Sequence, residues 1–237
     1  MKKMIIASTS TVHGSGYLEY LLPELKILFK EIKNILFIPY ARPDGITHDE
    51  YTAIATKGFK KLGISVTGIH TFAEPCKAIK DAKAVFIGGG NTFLLVTQLY
   101  SQKLIEPLKQ SIEAGIPYLG ASAGSNICGP TMQTTNDMPI VYPPNYKTLN
   151  AIPFNINPHY LDPDPYSTHK GETRETRIKE FHSFNDIPVI GLREGSWLNV
   201  NGNRIILGGN LSARFFRKGM MPIEVQTGAD FNSYLPV

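Results

Sequence analysis

Ser122 stands in Gly120-Ala121-Ser122-Ala123-Gly124, directly after the apolar run at 116–119. A serine on a sharp strand-to-helix turn presents its hydroxyl to substrate, and small neighbours let the backbone turn tightly. The N–H after such a serine can face a developing oxyanion. The pattern points to a nucleophilic serine. A second donor would come from Gly88-Gly89-Gly90-Asn91, which follows the apolar run at 84–87 and opens a helix. Gly89, Gly90 and Ala123 are therefore the expected oxyanion donors. A plain strand-to-helix turn is the competing account of the glycines.

A serine hydroxyl needs a base, commonly an imidazole oriented by a carboxylate. His159, in Asn157-Pro158-His159, follows the alternating Phe154-Asn155-Ile156. A loop placed after a strand is where parallel α/β folds put reacting groups, so His159 is the first candidate. His13, in the glycine-rich turn after the first apolar run, is its main rival. His70 ends a strand-like run, and His48, His169 and His182 read as exposed helix or loop residues. Two carboxylates are placed to orient an imidazole. Asp137 lies in the polar segment 134–139, and Glu194 follows the apolar run 187–192. Turn or capping roles compete for both.

Other chemistries find little support. Neither G-x-x-x-x-G-K-[ST] nor G-x-G-x-x-G occurs, which weakens a phosphate cradle. The histidines lack i, i+4 spacing, no H-E-x-x-H is present, and Cys76 and Cys128 are far apart. No metal site and no cofactor are expected.

These residues need a frame. Strands are predicted at 3–8, 34–39, 64–70, 84–87 and 116–120, and helices at 17–30, 48–62, 76–82, 92–100 and 104–114. Pro23 is an awkward interior residue of the first helix. Near-continuous apolar strands alternating with helices predict an α/β fold, a mainly parallel sheet with helices on both faces. The second half is different. Residues 130–171 are rich in Pro, Asn, Asp and Tyr; 172–184 predict an amphipathic helix; and short strands follow at 187–192, 196–200, 204–207 and 213–216. Asn201-Gly202-Asn203 fits a hairpin turn. The expectation is one domain over 1–237, its second half carrying loops and edge strands.

Composition narrows the function classes. Among 237 residues, 42% are hydrophobic and 19% charged, a balance that argues against disorder. A net charge of +4 without basic runs interleaved with aromatics makes nucleic acid a poor partner. Two widely spaced cysteines suggest a reducing compartment. No stretch approaches the ~20 apolar residues of a membrane span. A cytoplasmic protein, monomeric or a small homo-oligomer, is expected.

Several motifs in order carry a resemblance. They are Ile87-Gly88-Gly89-Gly90-Asn91-Thr92-Phe93, Ala121-Ser122-Ala123-Gly124-Ser125-Asn126, Thr134-Thr135-Asn136-Asp137-Met138-Pro139-Ile140 and Ile156-Asn157-Pro158-His159. Together they resemble peptidase E, a family of cytoplasmic α-aspartyl dipeptidases with a serine nucleophile. Lys170-Gly171-Glu172-Thr173-Arg174-Glu175 and Gly191-Leu192-Arg193-Glu194-Gly195 extend the likeness. The resemblance implies a flavodoxin-like fold related to class I glutamine amidotransferases, with serine in place of cysteine. It implies Ser122 as nucleophile and His159 as base, and it offers both Asp137 and Glu194 as the third member. In the amidotransferase relatives the acid stands two residues after the histidine. Here that position is Leu161, so the acid must come from elsewhere.

The family cleaves dipeptides with an N-terminal aspartate, so the implied partner is a small dipeptide. A buried carboxylate needs a cation. Arg174 matches that position, with Asn91 as a further expected substrate contact. A solvated, charged helix face at 172–180 is the competing account of Arg174. The Pro/Asp-rich stretch after His159 would act as a cover that excludes longer peptides. Two rival functions stand beside this one: a cyanophycinase-like β-aspartyl peptidase, and a non-catalytic amino-acid or peptide binder on the same fold. Nucleotide binding at the Gly88 turn is a third.

Overall fold

The computed structural model describes residues 1–235 apart from 165, 167 and 169. The first half alternates strands and helices: β1 (Lys3–Ala7), α1 (Leu22–Leu28), β2 (Asn34–Ile38), α2 (His48–Lys60), β3 (Ser65–Gly68), α3 (Pro75–Asp81), β4 (Val85–Ile87), α4 (Thr92–Ser101), α5 (Ile105–Glu113) and β5 (Tyr118–Ala121). The short α6 (Ala123–Asn126) starts immediately after Ser122. The second half contributes β6 (Asn155–Pro158), α7 (Arg174–Phe184), β7 (Val189–Leu192), β8 (Trp197–Asn201), β9 (Arg204–Gly208), β10 (Ala213–Phe216) and β11 (Ile223–Val225).

The described strands form two sheets. The larger has the order β3-β2-β4-β5-β1-β8-β9. Its first five strands run parallel, and β8 and β9 extend it as an antiparallel hairpin. Successive strand side chains point to opposite faces, and the buried residues divide accordingly. Ile5, Phe37, Phe86 and Leu119 pack with Leu25, Phe29, Tyr51 and Phe59 of the α1/α2 side. Ile6, Ile38, Val85 and Ile87 pack with Leu95, Leu99, Leu108 and Ile112 of α4 and α5. Helices thus cover both faces, as the apolar strands predict.

A second sheet, β11-β10-β7-β6, was not expected from the sequence. Its Ile156, Ile190, Leu192 and Phe215 join the α4/α5 side of the core. β6 and β7 are parallel, with Pro158 paired to Leu192.

Local expectations are corrected at three places. Pro23 does not interrupt a long helix: a 3₁₀ turn at Glu19–Leu21 precedes α1, and Pro23 falls in its first turn, where a missing N–H costs nothing. The run 64–70 is a strand only to Gly68; Ile69–Thr71 is a 3₁₀ turn. The helix expected to be amphipathic begins at Arg174 and fully buries only Ile178 and His182, leaving Phe184 exposed. Among the described residues, no helix is long and apolar enough to cross a membrane.

Candidate active site

Strand register sets out the first part of the site. Ala7 and Ala121 are partners in β1 and β5, and Ile87 and Gly120 are partners in β4 and β5. Ser8, Ser122 and Gly88-Gly89 therefore leave the same edge of the sheet, the carboxyl end where parallel α/β folds bind ligands. Ser122 has φ 53° and ψ −108°, a conformation that an L-residue rarely takes. Such strain costs on the order of 1–3 kcal/mol and persists only where surrounding structure enforces it.

The enforcement is visible. Ser122 N–H donates to Ala7 O (3.2 Å), and the buried Ser125 hydroxyl donates to the same carbonyl (2.6 Å). Tyr118 hydroxyl donates to Gly124 O (2.6 Å). A Cβ on Gly124 would lie 2.2 Å from Ile87 O, so the tight turn requires glycine there. The glycine turn after β4 sits against the serine: a Cβ built on Gly89 would be 3.0 Å from Ser122 Cβ. Ala123 opens α6, where a helix leaves its first N–H groups without internal partners.

The second part comes from the small sheet. His159 follows β6, and Glu194 lies two residues beyond β7. His159 Nε2 is 2.7 Å from Ser122 Oγ, and Nδ1 is 2.6 Å from Glu194 Oε1. The Glu194 carboxylate can only accept from Nδ1–H, which leaves Nε2 to accept the serine proton. His159 has φ 52°, so strain falls on both members of this hydrogen bond. Its backbone N–H donates to Ser8 Oγ (2.9 Å), and that hydroxyl donates to Leu192 O (2.7 Å). Ser8 thereby ties the large sheet to both strands of the small one that carry the base and the acid. The imidazole is about one-third exposed and Glu194 about half-exposed, so this acid is more open to solvent than a buried triad aspartate.

Asp137, the alternative acid, faces elsewhere. Its Oδ2 accepts from Thr92 N–H (2.7 Å), at the start of α4, and from the Thr135 hydroxyl (2.9 Å). A carboxylate is favoured at a helix N-terminus by the unpaired N–H groups there. Asn91 is engaged at both ends of its side chain: Oδ1 caps α4 by accepting from Leu94 N–H (3.0 Å), and Nδ2 donates to Met138 O (2.8 Å). Arg174 is the first residue of α7 and is half-buried. It forms no ion pair among the described residues. Burial and the neighbouring Arg177 push its guanidinium below the usual arginine range, and Asp137 partly offsets them.

Arg193, beside Glu194, holds the chain on both sides of the site. It donates from Nε and Nη2 to Asp162 (2.8 and 2.7 Å), from Nη1 and Nη2 to Glu224 (3.0 Å each), and from Nη1 to Ser212 O (2.7 Å). The fork geometry of guanidinium suits such paired carboxylates. These bonds, with those from the Ser212 hydroxyl and Arg214, draw Glu224 from its ordinary 4.5 down to about 2. They also fix the segment that follows His159 against β7 and β11.

The remaining histidines lie apart. His13 is exposed in the loop after β1. His48 and His70 meet with tilted rings at 5.3 Å, with His70 Nε2 2.8 Å from Asp49. His182, in the last turn of α7, is buried, not exposed, and its ring donates to Ile187 O (3.0 Å) beyond the helix. His169 lies outside the described residues. Among the described residues, no group of three or more His, Cys, Asp or Glu side chains is arranged to hold a metal ion.

The model of peptidase family S51 matches residues 4–208. The chain belongs to peptidase family S51. Among its relatives in the family, a peptidase E of Streptomyces coelicolor is 50% identical over 234 residues, covering 99% of this chain and 95% of that one. A probable alpha-aspartyl dipeptidase of Drosophila melanogaster is 45% identical over 219 residues, covering 91% of this chain and 90% of the other. Solved structures share the fold. A putative peptidase E from Listeria monocytogenes aligns with a TM-score of 0.67 at 23% identity, over 88% of this chain and 98% of that one. A peptidase from an acI-B1 Actinobacterium gives 0.70 at 15% identity, over 97% and 96%.

Ser8 and Arg193 are site residues that the sequence reading does not include. Ser8 has a readable signal, since it follows the first strand at the edge that carries Ser122, whereas Arg193 reads as a loop cation.

Proposed function

We propose that the protein is a serine dipeptidase that hydrolyses Asp-Xaa dipeptides through an acyl-enzyme, with Ser122 as nucleophile, His159 as base and Glu194 as the orienting acid. The observation that carries this reading is the unbroken relay from Ser122 Oγ to His159 to Glu194, at 2.7 and 2.6 Å. The relatives' names, peptidase E and probable alpha-aspartyl dipeptidase, support it.

Ser122 attacks the scissile carbonyl as His159 takes its proton. Glu194 stabilises the resulting imidazolium without being protonated itself. The N–H groups of Ala123, Gly89 and Gly90 hold the oxyanion. His159 then gives its proton to the leaving amine, and water attacks the acyl-enzyme by the same route in reverse.

Substrate preference follows from charge. The first residue of an Asp-Xaa dipeptide carries a side-chain carboxylate and a free ammonium. Arg174 offers a half-buried cation for the carboxylate, and Asp137, close enough to act on Arg174, offers an anion for the ammonium. Asn91 serves the site by holding the Asp137-Met138 segment against α4. The two cysteines are free, which suits a reducing compartment such as the cytoplasm. Neither a cyanophycinase nor a non-catalytic binder is favoured by the relatives.

The test is hydrolysis of α-Asp-Leu, β-Asp-Leu and Ala-Leu by the wild type and by Ser122→Ala. Turnover of α-Asp-Leu alone, lost in the variant, is expected. Equal activity in the variant would discard the serine mechanism, and preference for β-Asp-Leu would discard the substrate.

A further inference from the structure

We infer that Tyr51, a buried residue of α2 with no place in the triad, is a positioning residue that sets the direction of the oxyanion donor at Gly90; the inference rests on the serine-hydrolase reading above. A turn of three consecutive glycines is the most permissive stretch of chain there is. Contacts from outside must therefore choose its conformation, and the Gly89–Gly90 peptide in particular can flip with little steric penalty. In a trans peptide the carbonyl and the N–H lie in one plane and point in opposite directions. Whatever holds Gly89 O therefore aims Gly90 N–H the other way.

Tyr51 hydroxyl holds it, donating to Gly89 O at 3.0 Å. The tyrosine is itself held on all sides. It is 1% exposed, meets Phe37 edge-on at 5.0 Å, and lies under the Arg42 guanidinium at 4.8 Å. The Tyr17 hydroxyl, also buried and without a hydrogen-bond partner among the described residues, lies beside it. On the far side of the turn, Asn91 N–H donates to Ala41 O (2.6 Å), so the segment is clamped on both flanks of the Gly89–Gly90 peptide.

Gly88 gives an independent line. Its φ is not in the left-handed region, so backbone conformation does not require glycine. Space does: a Cβ there would stand 2.4 Å from the Tyr51 hydroxyl. The chain keeps position 88 empty at the point where the hydroxyl passes to reach Gly89 O.

Tyr51→Phe keeps the ring and its packing and removes only the donor. Its kcat on α-Asp-Leu is expected to fall at least about tenfold, toward the ~10²-fold cost of a lost oxyanion donor. KM should stay within about twofold, because the ground-state carbonyl gains little from that donor. The rate of Ser122 labelling by a fluorophosphonate, which also forms an oxyanion, should fall in parallel. Gly88→Ala, which displaces the hydroxyl without deleting it, should shift kcat and labelling the same way. Melting temperature is measured alongside. A Tyr51→Phe protein that folds and keeps both kcat and labelling rate within twofold overturns the inference, as does a loss confined to KM. Should Tyr51→Phe not fold, the Gly88→Ala result decides by the same criteria. Wild-type labelling without dipeptide turnover would instead overturn the proposed substrate, and the labelling rates would still decide the role of Tyr51.

Discussion

His159 and Glu194 leave the small sheet side by side, because the last residues of their strands, Pro158 and Leu192, are register partners in parallel strands. The proposed acid is thus set by strand pairing across more than thirty residues of sequence. Glu194→Gln keeps the shape and loses the charge that fixes the imidazole tautomer. It should lower kcat by about 10²- to 10⁴-fold with little change in KM. Asp137→Asn should do the opposite, raising KM more than it lowers kcat, since its carboxylate meets α4 and not the imidazole. Steady-state kinetics of the two variants on one dipeptide make the comparison. The reverse pattern would return Asp137 to the triad.

Arg174 should govern which dipeptides bind. Arg174→Met is expected to raise KM for Asp-Leu by about ten- to a hundredfold, the range for a hydrogen bond to a charged group. The rate of Ser122 labelling by a fluorophosphonate, which carries no side-chain carboxylate, should be unaffected. Loss of turnover and labelling alike would assign Arg174 to the fold and not to recognition.

The Arg193 cluster should show in the acid limb of stability. Glu224 is drawn from 4.5 to about 2 chiefly by its bonds from Arg193. As pH falls, the unfolded carboxylate takes up its proton first. The contribution of Glu224 is therefore complete above its ordinary value and is lost as pH drops from 4.5 toward about 2. Urea midpoints of the wild type and Glu224→Gln should differ most at pH 7 and converge as pH falls through 4 and 3. A difference that does not shrink would mean the glutamate acts through packing alone.

The two thiols should react very differently. Cys128 is fully buried, which pushes its thiol up to about 12. The thiolate is the reactive form. Iodoacetamide on the native protein at pH 8 should modify the half-buried Cys76 well before Cys128, as read by peptide mass spectrometry. Equal labelling would show that the core around α6 opens readily.

Much of this was readable beforehand, and for clear reasons. β2, β4 and β5 are continuous apolar runs, so the parallel core announces itself, and the elbow at Ser122 follows from two glycines after such a run. His159 follows a short alternating segment. The second sheet was not readable as a sheet. β6 is Asn-Ile-Asn-Pro and β11 only Ile-Glu-Val, too short for any period, and β6 pairs with a strand thirty residues on. Without that pairing, Asp137 in its polar segment and Glu194 after an apolar run are two loop carboxylates, and nothing separates them. Tyr51 hides for another reason: its helix spacing already accounts for an aromatic residue, and only its hydroxyl does more.

The proposed nucleophile and its helpers leave the ribosome at different times. Ser122, its glycine turn and the strands that bend it all lie within the first 126 residues. The proposed base and acid come only at positions 159 and 194, and the Ser8 hydroxyl, made near the start, bonds to the chain at the end of both their strands. A chain that stops short of position 194 holds the serine without the proposed acid, and the relay forms only where the two sheets meet.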